Sequence, residues 1–76
     1  MKDLIIAMAH ALVDHPEQVV VSTIEGNQSI VLELNVAKSD LDKIIGRHGK
    51  IVRAIRTILT SISGRAKKRV VLVVLE

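Results

Sequence analysis

Two glycines, Gly46 and Gly49, most constrain what this chain can fold into. They sit in the run Ile44-Ile45-Gly46-Arg47-His48-Gly49-Lys50-Ile51-Val52, with an apolar pair before them and a helical apolar pattern after. Gly46 can close one helix in the left-handed conformation, and Gly49 can open the next. The loop between them then offers bare backbone N–H groups, the positive end of a helix, and the donors of Arg47, His48 and Lys50. That set of features suits gripping a nucleic-acid backbone.

The flanking sequence supplies a full domain. Asp3 is placed to cap a first helix over roughly residues 4–14, with Leu4, Ile5, Met8, Leu12 and Val13 on one apolar face. His15-Pro16 ends it, because a residue before proline avoids the helical region. Residues 19–25 are rich in β-branched side chains, and residues 29–36 alternate, with Ile30, Leu32, Leu34 and Val36 facing one way. Glycine and asparagine between them mark the turn of an antiparallel hairpin. Ser39-Asp40-Leu41-Asp42 reads as a capping-box-like start to a short helix ending at Gly46. A longer helix over about 50–63 carries the stripe Ile51, Ile55, Ile58 and Ile62, with Val52 and Leu59 beside it and Gly64 as its cap. Arg65–Arg69 then forms a basic loop. The unbroken apolar run 70–75 suits a strand covered on both faces or paired centrally. The order is α-β-β-α-α-β, an α+β arrangement in one domain over 1–76.

Charge divides the chain sharply. Residues 1–42 hold two Lys/Arg against seven Asp/Glu, while residues 43–76 hold nine against one. A net +3 therefore conceals a basic half, which implies an anionic partner. Arg53 and the 65–69 cluster extend the electrostatic path. Phe, Trp and Tyr are absent, so bases have no aromatic platform to stack on, which excludes readers built on such platforms.

Other classes find no support. There is no cysteine for a disulfide, a thiol nucleophile or a thiolate metal site. His10 and Asp14 stand one helical turn apart, which falls short of a metal site. The glycine spacing is not that of a P-loop. The expectation is a non-enzyme with no cofactor, no metal and no catalytic residue. No apolar run approaches the ~20 residues that span a membrane, and the apolar stretch after Lys2 is too short for a signal peptide. The expected location is cytoplasmic.

With this element order, Ile45-Gly46-Arg47-His48-Gly49-Lys50-Ile51-Val52 resembles the signature of a KH domain. That signature is an apolar residue, a glycine, two variable residues, a glycine, and an apolar residue three positions on. Here Ile45, Gly46, Arg47, His48, Gly49 and Val52 fill it, and Ile55 matches a further apolar position. The extra helix and strand before the motif resemble the type II, bacterial form. The size is similar to that of the small bacterial single-KH proteins of the KhpA (YlqC-like) family.

The resemblance implies a three-stranded mixed sheet with three helices packed on one face. It also implies single-stranded RNA, or single-stranded DNA, held along a groove of about four nucleotides. The candidate binding residues are Ile44, Ile45, Gly46, Arg47, His48, Gly49, Lys50, Val52 and Arg53. Ile44, Ile45 and Val52 are the candidate apolar floor, and either 29–36 or 70–74 supplies the strand at the far edge. An RNA chaperone or post-transcriptional regulator acting as a homodimer is the expected role. Leu59 and Ile62 are candidates for the self-association patch. The alternative is a dimerising adapter with little RNA affinity, pairing with a larger KH-containing protein.

Overall fold

The computed structural model describes residues 2–75, apart from the side chains of Arg65 and Ala66. The fold is α+β. Helix α1 (Lys2–Leu12) leads into strands β1 (Val20–Glu25) and β2 (Ser29–Asn35). Short α2 (Leu41–Ile45) and long α3 (Lys50–Ala66) follow, and β3 (Arg69–Leu75) ends the order. Strands β1 and β2 pair antiparallel, and β3 joins β2 in parallel. The sheet is therefore mixed, in the order β1-β2-β3. Three helices cover one of its faces, the arrangement expected of a type II KH domain.

The core lies between that face and the helices. Leu32 and Leu34 of β2 meet Val21 of β1 and Leu72 of β3, and Ile5, Ala9, Ile44, Val52, Ile55 and Leu59 close over them. Alternation in β2 puts every second side chain into this layer.

Several local expectations shift. Helix α1 begins at Lys2, so Asp3 sits in its first turn instead of capping it, and the helix stops at Leu12. Its covered face is Ile5 and Ala9, while Leu4 is exposed. Helix α3 is rotated from the predicted stripe: Val52, Ile55 and Leu59 are buried, and Ile58 is 44 % exposed. It also runs past Gly64, and Lys67 caps it at φ +56°. The cause is Ser63, whose hydroxyl donates to the Lys68 carbonyl and accepts from the Val70 N–H at 3.2 Å. This ties the reversal to the helix one turn later than a glycine cap at 64 would have done. Only Lys67 and Lys68 remain as loop, and the Arg65 side chain lies outside the described residues. Strand β3 is an edge strand with one covered face, not a central one. Its outward residues are apolar too, which hid the alternation.

Asp40 is the one buried charged residue among those described. It does not cap α2 with its side chain. Its carboxylate instead accepts the N–H groups of Asp14 (3.2 Å) and His15 (2.9 Å), and the Lys43 ammonium lies 3.3 Å away. Lys43 also pairs with Asp14 at 3.0 Å. Burial opposes ionisation of Asp40, but the two N–H donors and Lys43 outweigh it, so the carboxyl sits below its ordinary value of 3.8. Lys43 is raised above 10.5 by its bonds to Asp14 and Asp40. This knot anchors the segment after α1 to the start of α2, and so holds the helix that leads into the glycine loop.

Candidate nucleic-acid interface

The glycine loop differs in detail from a pair of left-handed caps. Gly46 has φ +76°, ψ 173°, a region open essentially only to glycine. Gly49, at φ +72°, ψ 17°, is the left-handed residue. Between them Arg47–Gly49 forms a 3-10 turn, with His48 itself at positive φ. The Gly49 N–H bonds the Gly46 carbonyl at 3.1 Å, and the Lys50 N–H bonds the Arg47 carbonyl. Those two amides are thus used within the turn and are not free for a ligand.

Space around Gly46 is as restricted as its dihedrals. A Cβ there would lie 2.5 Å from Ile51 Cγ1 and 2.8 Å from Ile51 Cβ, whereas at Gly49 the nearest atom is Arg53 Nη2 at 3.6 Å. Ile51 therefore packs directly over Gly46 and sets how closely the loop folds back on α3. Arg53 Nη2 donates to the His48 carbonyl at 2.7 Å, bracing the loop from one turn into the helix.

The candidate apolar floor separates into two kinds of residue. Ile44 is 0 % exposed and belongs to the core, so it offers no surface to a ligand. Ile45 and Val52 line a cavity of about 340 Å³ together with Arg56, Leu72, Val73 and Val74. The strand at the far side of this groove is β3. Strand β2 is central, with both edges already paired. The groove continues along α3 into a second cavity of about 310 Å³, whose lining includes Thr60, Ser63 and Arg69. Arg56 borders both cavities, and its Nη2 donates to the Leu72 carbonyl at 3.4 Å. Spacing within α3 gave no sign of this residue's place, because the groove exists only once β3 is laid beside the helix.

Arg47, His48, Lys50, Arg53 and Arg56 are all exposed, and among the described residues none of them is in an ion pair. Lys43 and Lys68 are different: acids from the first half of the chain, Asp14, Asp40 and Glu25, neutralise them. Lys68 is further held by the Gly26 carbonyl. The loop and the exposed side of α3 therefore carry positive charge that no acid among the described residues pairs with. No group of three or more metal-ligating side chains occurs among the described residues.

The family model described as "KhpA/KhpB, KH domain" matches residues 2–74. The chain is similar to the RNA-binding protein KhpA of Aquifex aeolicus, 47 % identical over 76 residues, which is 100 % of this chain and 96 % of that protein. It is 48 % identical over 71 residues to the RNA-binding protein KhpA of Clostridium acetobutylicum, covering 93 % of this chain and 95 % of that one. The protein of the same description from Chlamydia caviae is 42 % identical over 76 residues, 100 % and 97 % of the two chains. No solved structure matches with significance.

Proposed function

The chain belongs to the KhpA/KhpB family of KH domains, and on that footing we propose that it binds single-stranded RNA in the groove between its glycine loop and β3. One observation carries the reading: a cavity floored by Ile45 and Val52 opens beside the free edge of β3, next to a loop whose cations have no acidic partner among the described residues. About four nucleotides fit such a module. Arg47, His48 and Lys50 take phosphate oxygens, and Gly46 and Gly49 let the backbone come close. Bases lie on Ile45 and Val52 with their edges toward β3. Arg53 acts through the loop it braces, and Ile44 supports from below. With no aromatic side chain, affinity rests on charge and strand-edge bonds, so one groove binds weakly and pairing of copies supplies avidity.

The experiment is binding of labelled single-stranded RNA at several salt concentrations, beside a folded Arg47→Asp/His48→Asp variant. With about three phosphates engaged, the log–log salt slope is about −2. Loss of binding in the variant supports the loop as the site, and equal binding by both proteins refutes it. Competition with single-stranded DNA tests whether the 2′-hydroxyl matters.

A homodimer acting as an RNA chaperone or regulator is the fuller form of this reading. Of the expected patch of Leu59 and Ile62, Leu59 is core and Ile62 is half-buried. Apolar exposure falls instead on Ile58 and on the uncovered sheet face, where Val20 and Ile24 are each 56 % exposed. That face also favours a second reading, an adapter that pairs with a larger KH-containing protein. Sedimentation at tens of micromolar tests self-association, and a monomer that still binds RNA in a loop-dependent way would rule out the dimer.

A further inference from the structure

We infer that the uncovered face of the sheet is the surface on which two copies of this chain meet, locked by Glu33 of each copy against Arg69 of the other. The inference rests on the pairing of copies proposed above and gives that pairing a face and a chemistry.

Side chains alternate along each strand, so the residues that do not enter the core stand on the outer face. Six of them are large and apolar: Val20 and Ile24 on β1, Val31 on β2, and Val71, Val73 and Leu75 on β3. None belongs to the core. Val20, Ile24, Val73 and Leu75 are exposed, and Val31 and Val71 are half-buried. In their midst, on the central strand and level with Val73, stands the half-buried Glu33. Arg69, at the head of β3, shares this face. Among the described residues neither Glu33 nor Arg69 is in an ion pair. Whatever covers the apolar residues must therefore bring a cation to Glu33, because a carboxylate buried without a partner is strongly destabilising.

A second copy carries what this face lacks. The register partner of Arg69 is Ser29, so Glu33 lies one strand over and four residues further along. That is a separation of about 14 Å, from a rise of about 3.3 Å per residue and strands about 4.8 Å apart. The two-fold axis that exchanges the two positions passes between Val31 and Val71, the register partners halfway along. It sets the valines of one copy on those of the other and forms the Glu33–Arg69 pair twice, as an isologous interface requires. It also crosses the strands of the two sheets at about 40°, near the ~30° of aligned sheet packing. A partner offering only an apolar helix would leave both charges bare. The helices lie on the opposite face of the sheet, so the glycine loop and its groove stay open in both copies.

The test is sedimentation equilibrium from tens to hundreds of micromolar, with circular dichroism and urea unfolding establishing that each variant is folded. Glu33→Arg and Arg69→Glu each set like charges together twice, and each is expected to raise the dimer dissociation constant about tenfold or more. An equimolar mixture of these two variants restores both ion pairs, as does the double variant within one chain. Both are expected to dimerise within about threefold of the wild type. Arg69 also borders the second cavity, so its variants are judged on self-association alone. Should a reversal not fold, a double-mutant cycle of Glu33→Gln and Arg69→Gln takes its place, and strict additivity there overturns the inference. A wild type that stays monomeric throughout leaves the face to another protein and overturns it. A dimer that Glu33→Arg leaves unchanged overturns it too, because the copies then meet elsewhere. Loss in the single variants without recovery in the mixture or the double variant also overturns it. The Arg47→Asp/His48→Asp variant separates the two levels, and is expected to lose labelled oligo(rU) while still dimerising. If it binds oligo(rU) like the wild type, the groove reading falls and the interface is decided by sedimentation. If it loses oligo(rU) while Glu33→Arg stays dimeric, the groove stands and the interface falls.

Discussion

The two loop glycines have the same sequence spacing as partners but should respond very differently to one added methyl group. In Gly46→Ala the new Cβ meets Ile51 Cγ1 at 2.5 Å, Cβ at 2.8 Å and Cδ1 at 2.9 Å. The backbone there, φ +76° and ψ 173°, lies in a region costing an L-residue about 1–3 kcal/mol. Overpacking adds about 1–3 kcal/mol. The sum, about 2–6 kcal/mol, compares with a total stability of about 4–11 kcal/mol for a chain of this size. In Gly49→Ala the methyl group has room, and only the left-handed dihedrals count, at about 1–2 kcal/mol. Domains of this size lose about 4–8 °C in Tm per kcal/mol, so Gly49→Ala should melt about 4–16 °C low and Gly46→Ala about 8–48 °C low. The assay is far-ultraviolet circular dichroism in heat and urea, since the chain has no aromatic side chain to fluoresce. Ile51→Ala removes two of the three clashing atoms, so its cost should be smaller in the Gly46→Ala background than alone. Equal destabilisation by the two glycine variants, or strict additivity with Ile51→Ala, would refute the reasoning.

Other perturbations follow from particular contacts. Because the folded pKa of Asp40 lies below 3.8, its stabilisation is complete above about pH 4 and is lost as pH falls through the lowered folded value. The gap in urea midpoint between wild type and Asp40→Asn should therefore persist from neutral pH to about pH 4 and close below it. Lys43 behaves in the opposite sense: its contribution is full below 10.5 and fades as pH rises through its raised folded value, which an alkaline urea series checks. Lys67→Gly relieves a non-glycine residue at φ +56° and should stabilise by about 0.5–1 kcal/mol, seen as a Tm higher by a few degrees. Ser63→Ala leaves the Val70 N–H without its 3.2 Å acceptor, a loss of about 1–3 kcal/mol that faster exchange of that amide would report.

What the sequence revealed, and what it hid, follows the range of each interaction. The glycine loop was legible because the demand for glycine is local: a turn between two helices needs residues free of a Cβ. The hairpin was legible for the same reason, since alternation in β2 and the Gly26 turn need no distant partner. The face of α3 was misjudged because Ile58 and Leu59 are equally apolar neighbours, and only the sheet decides which one is covered. The position of β3 was hidden because both its faces are apolar, so an edge strand read like a central one. Asp40 looked like a cap, while its partners Asp14 and His15 stand 26 and 25 residues earlier. Arg56 lies 16 residues from the carbonyl it reaches, and only the parallel placement of β3 gives it a position in the groove.

The same distinction explains how a modest net charge becomes a directed one. The acids of the first half are not spread as a general counterweight to the cations of the second. Asp14 and Asp40 hold Lys43, and Glu25 holds Lys68, each at a joint between elements. Those lysines fasten the segment after α1 to α2, and the residue before β3 to the hairpin. Their charge is spent on the scaffold. Arg47, Lys50, Arg53 and Arg56 keep theirs, on the loop and the side of α3 that faces open solvent. An anion approaching the loop therefore meets cations that no acid among the described residues pairs with, although the molecule as a whole carries only +3. Removing a lysine of the first set should unfasten the scaffold with little effect on the salt slope of RNA binding. Removing Arg47 or Lys50 should do the reverse. If Lys43→Met lowered the salt slope as much as Arg47→Met while leaving urea stability unchanged, the division between scaffold charge and groove charge would be wrong.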